Sequence, residues 1–92
     1  MQKSNAVITV SGQDRVGIIS AVSTVLTNNN VNIENVTQSI LQSFFTMVMM
    51  VDISEMTTDF ESLSKELEDV GKEIGMQVRI QHEAIFNSMH RL

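Results

Sequence analysis

FFTMVMMVDI, residues 44–53, sets Phe45, Met47, Met49, Val51 and Ile53 on one side of an extended chain and Phe44, Val48 and Met50 on the other. Side chains alternate across a strand, so both faces are apolar, the pattern of a strand in the middle of a sheet. The second face asks for more cover than one small domain supplies and points to a further packing surface.

Upstream, residues 31–42 form a second long β-rich run, and the short polar join at Ser43 makes the two runs an antiparallel hairpin. Neither Gly nor an Asn-Gly pair marks the type of turn. Before it, residues 16–28 carry Ile18, Ile19, Val22, Val25 and Leu26 at helical spacing, and the run Asn28, Asn29, Asn30 suits a left-handed helix end. Residues 6–11 alternate Ile8 and Val10 against Val7 and Thr9, a strand covered on both faces.

Downstream, Met56, Phe60, Leu63, Leu67, Val70 and Ile74 recur at gaps of three and four, one stripe of a long helix with its charged residues turned to water. Thr58 and Glu61 have capping-box spacing, and Gly75 sits where a left-handed C-terminal cap belongs. So short a heptad-like stripe in a mixed chain marks a core-facing helix rather than a coiled coil. Residues 76–86 alternate Met76, Val78 and Ile80 against Gln77, Arg79, Gln81 and Glu83, an outer strand with one wet face. In the tail, residues 84–92, Ile85, Phe86, Met89 and Leu92 keep near-helical spacing, so it docks as a short helix against its own sheet or, preferably, a second subunit.

The order strand, helix, strand, strand, helix, strand predicts an α+β, ferredoxin-like βαββαβ sandwich, a four-stranded antiparallel sheet with two helices on one face. The 92 residues make one domain over 1–92, with its core at about 6–86. Composition narrows the function. Six Lys and Arg against eleven Asp and Glu, a net charge of −5, argue against nucleic acid, and four Phe with no Trp or Tyr leave no stacking platform. Cysteine is absent, which removes disulfides and thiolate chemistry and fits a reducing compartment. No apolar run approaches the roughly 18 residues of a membrane span, and no signal-peptide region precedes Gln13. The expectation is a cytoplasmic protein with no membrane and no nucleic-acid partner.

Chemistry concentrates in VSGQDRVGII, residues 10–19, where Gly12 and Gly17 bracket Asp14 and Arg15 at a strand-to-helix junction. Backbone N–H groups of the first helical turn point outward there and suit a carboxylate. Asp14 suits an ammonium group and Arg15 a carboxylate. The plainer alternative makes Asp14 the helix N-cap, leaves Arg15 solvated and uses Gly17 for close helix–strand packing. The glycine spacing also matches a P-loop, yet Ile18 and Ile19 stand where Lys and Ser or Thr must be. An acylphosphatase needs Arg after the last glycine, and Arg15 precedes Gly17. His82 and His90 are the only histidines and lack a third ligand for a metal, and no spacing supports a Ser, His and Asp nucleophile system. No catalytic residue, metal or cofactor is expected.

The segments SGQDRVGII, NNNVNIENVTQSI and FFTMVMMVDI together resemble the ACT domain, and in particular its small stand-alone members, from about Ala6 to Phe86. The most specific part is Asp14-Arg15-Val16-Gly17-Ile18 with Asn32-Ile33 downstream. Val16 departs from the family pattern, where Pro is usual, and gives up the preset φ of the first turn. The resemblance implies a non-catalytic regulatory domain that binds a small molecule, an amino acid or its like, as a homodimer. Asp14, Arg15, Gly17 and Ile18 of one subunit would form the loop side of the site, and Asn32 and Ile33 of its neighbour the strand side. The plainer reading of Asn32 is a turn residue after the first helix. The alternative function is a dimerisation or protein-interaction module without a ligand, serving itself or an unidentified protein partner. Gly17→Val is expected to crowd the helix start and abolish a ligand response while sparing the dimer.

Overall fold

The computed structural model describes residues 4–89, in the order β1 (Asn5–Gln13), α1 (Ile18–Asn28), β2 (Asn32–Leu41), β3 (Phe44–Asp52), α2 (Phe60–Ile74), β4 (Met76–His82) and α3 (Glu83–Met89). The sheet runs β2-β3-β1-β4, antiparallel at every pairing. This is the βαββαβ sandwich with one short helix added. His90 and Leu92 lie outside the described residues.

β3 is central because nothing else in the chain offers so apolar a strand on both faces. Phe45, Met47, Met49 and Val51 are buried in the core, beside Ile8 and Val10 of β1 and Val78 and Ile80 of β4. From above, Ile18, Val22, Val25 and Leu26 of α1 and Leu63 and Leu67 of α2 close it. Met56, Phe60, Val70 and Ile74 complete the α2 stripe at its margin. Every strongly buried side chain among the described residues is apolar, so the core is held by area removed from water, at about 25 cal/mol per Å².

Local detail sharpens the sequence reading and in places corrects it. The strand predicted over 76–86 ends at His82, and the chain turns helical at Glu83. α3 folds back on its own sheet, against β1 and β4, one of the two dockings expected of it. It meets the face away from the main core, which explains why Val7, pointing that way, is 1% exposed. The hairpin turn is Gln42-Ser43, with Gln42 at φ 59°; a non-glycine residue there costs on the order of 1–2 kcal/mol and leaves no glycine to announce the turn.

The cap of α2 is Asp59 and not Thr58: its Oδ1 accepts from the Ser62 N–H at 2.7 Å. Those hydrogen bonds, to the Ser62 backbone first, hold the Asp59 carboxyl below its ordinary 3.8. A lowered folded pKa means stability that is complete above pH 4 and lost as pH falls through the lower folded value. Asp59→Asn keeps a capping oxygen. It is therefore expected to match the parent at pH 7 in thermal melts and to lose less stability than the parent between pH 5 and pH 2. Asp59→Ala is expected to melt lower at pH 7.

Candidate functional site

β1 runs two residues beyond the predicted strand, and Gly12 lies within it rather than in the loop. The loop proper is residues 14–17. Its position is tied at both sides: the Asp14 N–H donates to the Ser43 carbonyl at 2.8 Å, at the tip of the β2–β3 hairpin, and Arg15 Nη1 donates to the Ile74 carbonyl at 3.2 Å, at the end of α2. The Arg15 bond places its positive charge against the negative end of the α2 dipole. Arg15 is thus anchored, not simply solvated.

Gly17 is the N-cap of α1, at φ 93° and ψ 4°, so α1 starts at Ile18 rather than at Val16 and Asp14 is not its cap. No side chain caps this helix, and no acidic residue stands in its first turn. Its leading N–H groups therefore lack the usual side-chain acceptor. A Cβ at Gly17 would meet nothing within 4 Å, so the glycine serves the left-handed backbone and not close helix–strand packing. Ile18 turns its side chain into the core at 3% exposure, leaving only its backbone at the loop. Val16, where the family pattern has Pro, is 96% exposed.

Asn32 opens β2, and the left-handed turn residue after α1 is Asn30, at φ 57°. Both Asn32 and Ile33 are exposed. Asn32 lines a cavity of about 460 Å³ with Thr27, Asn30, Val31, Asp52, Ser54 and Glu55. Asn30 Nδ2 donates to the Glu55 carbonyl, and Asp52 Oδ1 accepts from both the N–H and the hydroxyl of Ser54, which makes its floor polar and fixed.

The two halves of the predicted site lie at opposite ends of the sheet. Asn32 pairs with Asp52 at one end of β3, and the loop is bonded to Ser43 next to Phe44 at the other. At roughly 3.4 Å per residue along β3, they stand about 27 Å apart. One chain does not bring them together. Between them, all ten residues of β2 are exposed, on both faces of an edge strand, including Ile33, Val36, Ile40 and Leu41.

A profile described as an ACT domain matches residues 4–81, most of the chain. The chain belongs to the ACT domain family. The domain is similar to a UPF0237 protein of Methanocaldococcus jannaschii, with 51% identity over 89 residues that cover 97% of this chain and 99% of the relative. It is also similar to the solved ACT domain protein from Streptococcus pneumoniae, with 35% identity, 92% of this chain and 96% of that one covered, and a TM-score of 0.79. The regulatory subunit of aspartate kinase from Thermus thermophilus shares the fold at 22% identity and a TM-score of 0.65, covering 85% of this chain and 50% of that one. ACT domains are regulatory ligand-binding modules. Among the described residues of this one, no helix is long and apolar enough to cross a membrane, and no three His, Cys, Asp or Glu side chains gather as a metal set.

Proposed function

We propose that this ACT domain is a non-catalytic regulatory module that works as a homodimer and binds an amino-acid-like molecule between the Asp14–Ile18 loop of one copy and the Asn32–Ile33 start of β2 of the other. The observation that carries the reading is the bare β2 edge lying between two half-sites about 27 Å apart. Edge strands left open, long and apolar are places where chains pair. β2 carries one charged residue, Glu34, and no Lys or Pro to deter pairing.

Register follows from the side chains. Val36, Gln38 and Ile40 pair with Met49, Met47 and Phe45 of β3 and so share the helix side of the sheet. Antiparallel pairing about a two-fold at Gln38 sets Val36 against Ile40 twice, apolar against apolar. The irregularity between Ile33 and Asn35 lies outside that ladder. Extended outward, the same register lays Asn32 of the second copy beside Ser43, the residue that holds the Asp14 N–H. The loop of one copy and the strand start of the other then frame one groove, and the two-fold makes two such grooves per dimer. The uncapped N–H groups of α1 suit a carboxylate there, and the Asn32 carboxamide both donates and accepts. The regulatory role draws on the family and on the aspartate kinase subunit that shares the fold.

A thermal-shift screen over the standard amino acids tests it. A binder raises the melting temperature with concentration, by about 2.7 kcal/mol of stability at a hundred times Kd. A stable dimer with no response to any of them would favour the assembly module without a ligand. Gly17→Ala is expected to cost about 1–2 kcal/mol through its φ of 93°. Because the added Cβ has open space, it should lower ligand affinity with the dimer intact, and unchanged affinity would remove the loop from the site. For Gly17→Val the same backbone cost, and not crowding, is the operative effect.

A further inference from the structure

A further cavity lies away from this groove. It has a volume of about 640 Å³ and runs round the free edge of β4, from Lys72 on α2 to the sheet face away from the helices. Its walls divide by chemistry. Thr9, Ser11, Gln77, Arg79 and Gln81 supply hydroxyls, carboxamides and a guanidinium, whereas Met76, Val78 and Phe86 are apolar.

The register explains the gathering. Thr9 pairs with Arg79, and Ser11 with Gln77. Their neighbours Val10 and Val78 point into the core, so these four point the other way, onto one patch. α3 packs on this same face and brings the half-buried ring of Phe86 to the rim. Among the described residues neither Arg79 nor Lys72 is taken up in an ion pair. Two of the six cationic residues of a chain with net charge −5 therefore flank one cavity, against the single acid Glu68. Its size is that of a small-molecule site, and its lining is mostly polar, which suits a charged ligand.

We infer that this cavity is a second ligand site, which takes a small oxyanion on a flat apolar body: the anionic group between Arg79 and Lys72, the body against Phe86. Arg79 supplies the two-pronged contact that a carboxylate or a phosphate accepts. The hydroxyls of Thr9 and Ser11 and the Gln77 carboxamide bond its remaining oxygens. α3 forms one wall, so occupancy holds α3 on the sheet.

Benzoate, phenyl phosphate and inorganic phosphate, each titrated into the full chain and followed by amide chemical shifts, test the inference. Benzoate or phenyl phosphate is expected to shift Thr9, Gln77, Arg79 and α3, with inorganic phosphate at least about tenfold weaker because it has no apolar body to bury. The better binder of the two aryl compounds tells carboxylate from phosphate. Arg79→Gln is expected to weaken that binder about tenfold or more, which is about 1.4 kcal/mol, and Phe86→Ala to bring it level with inorganic phosphate. Shifts confined to the Asp14–Ile18 loop and Asn32, no shifts at about 10 mM of any probe, an affinity weaker than about 3 kcal/mol, or an Arg79→Gln chain that binds as the parent does would each overturn it.

Discussion

Gln38→Pro is expected to turn the proposed dimer into a monomer and to leave the monomer folded. Gln38 lies in the middle of β2, opposite Met47 of β3. Ser43 and Ile53 bond across to the two ends of β1, so Met47 bonds to β1 too, and the Gln38 N–H is left pointing out of the sheet edge. Proline there removes a backbone donor and stiffens φ, which an edge strand tolerates and a shared ladder does not. Val36→Lys tests the same surface by charge: it sets a lysine against Ile40 of the second copy, twice per dimer. On the proposed arrangement, both variants should sediment as monomers at concentrations where the parent dimerises, and both should lose amino-acid binding altogether, because the proposed site needs a half from each copy. Retained far-ultraviolet circular dichroism separates this outcome from unfolding. A dimeric Gln38→Pro chain would show that β2 is not the contact.

Gly71→Ala is expected to destabilise the fold by about 1–3 kcal/mol, the cost of overpacking. General helix propensity argues the reverse sign, since alanine in a helix interior is better than glycine by about 1 kcal/mol. The local contact decides. Gly71 is buried in α2, and a Cβ there would sit 2.7 Å from the Met76 carbonyl oxygen and 2.9 Å from a Val78 methyl. Gly75 turns the chain straight back into β4 beneath the helix, so the obstructing atom is backbone and has little room to yield. Chemical denaturation should show a lower midpoint with an unchanged slope. A more stable Gly71→Ala chain would mean that α2 rides higher on β4 than described.

Most of the fold is legible in the residues because its signals are periodic. FFTMVMMVDI could only be a central strand, and the Met56–Ile74 stripe could only be a core-facing helix. What escaped the sequence is what periodicity does not encode. The Gln42 turn has no glycine to mark it. The α2 cap passed to Asp59 because a carboxylate and a hydroxyl stand side by side at 58 and 59, and either is a fit acceptor. The end of β4 was invisible since Gln81, His82 and Glu83 continue the alternation of a wet face while the backbone has already begun to coil.

For the site the limits are different in kind. Gly17 and Asn32 stand out by residue type and by the family pattern, but a linear chain says nothing of their lying at opposite ends of one sheet. The apolar residues of β2 read alike whether their neighbour is the same chain or another, so the bare edge appears only once the other strands are placed. The reverse holds for Arg79. It reads as one charge on a wet strand face, and only the pairing with Thr9 and the return of α3 show that the face is concave.

The chain has no cysteine, which makes one measurement especially clean. Gln38→Cys places a single thiol on the proposed two-fold, where the Cα atoms of directly opposed residues stand about 4.5–5.5 Å apart, within the reach of a disulfide. Under mild oxidation this chain is expected to become a covalent dimer that still binds its amino acid, while Gln77→Cys on β4 stays a monomer on a denaturing gel. A Gln38→Cys chain that remains uncrosslinked, with Gln77→Cys joined in its place, would contradict a site assembled across β2.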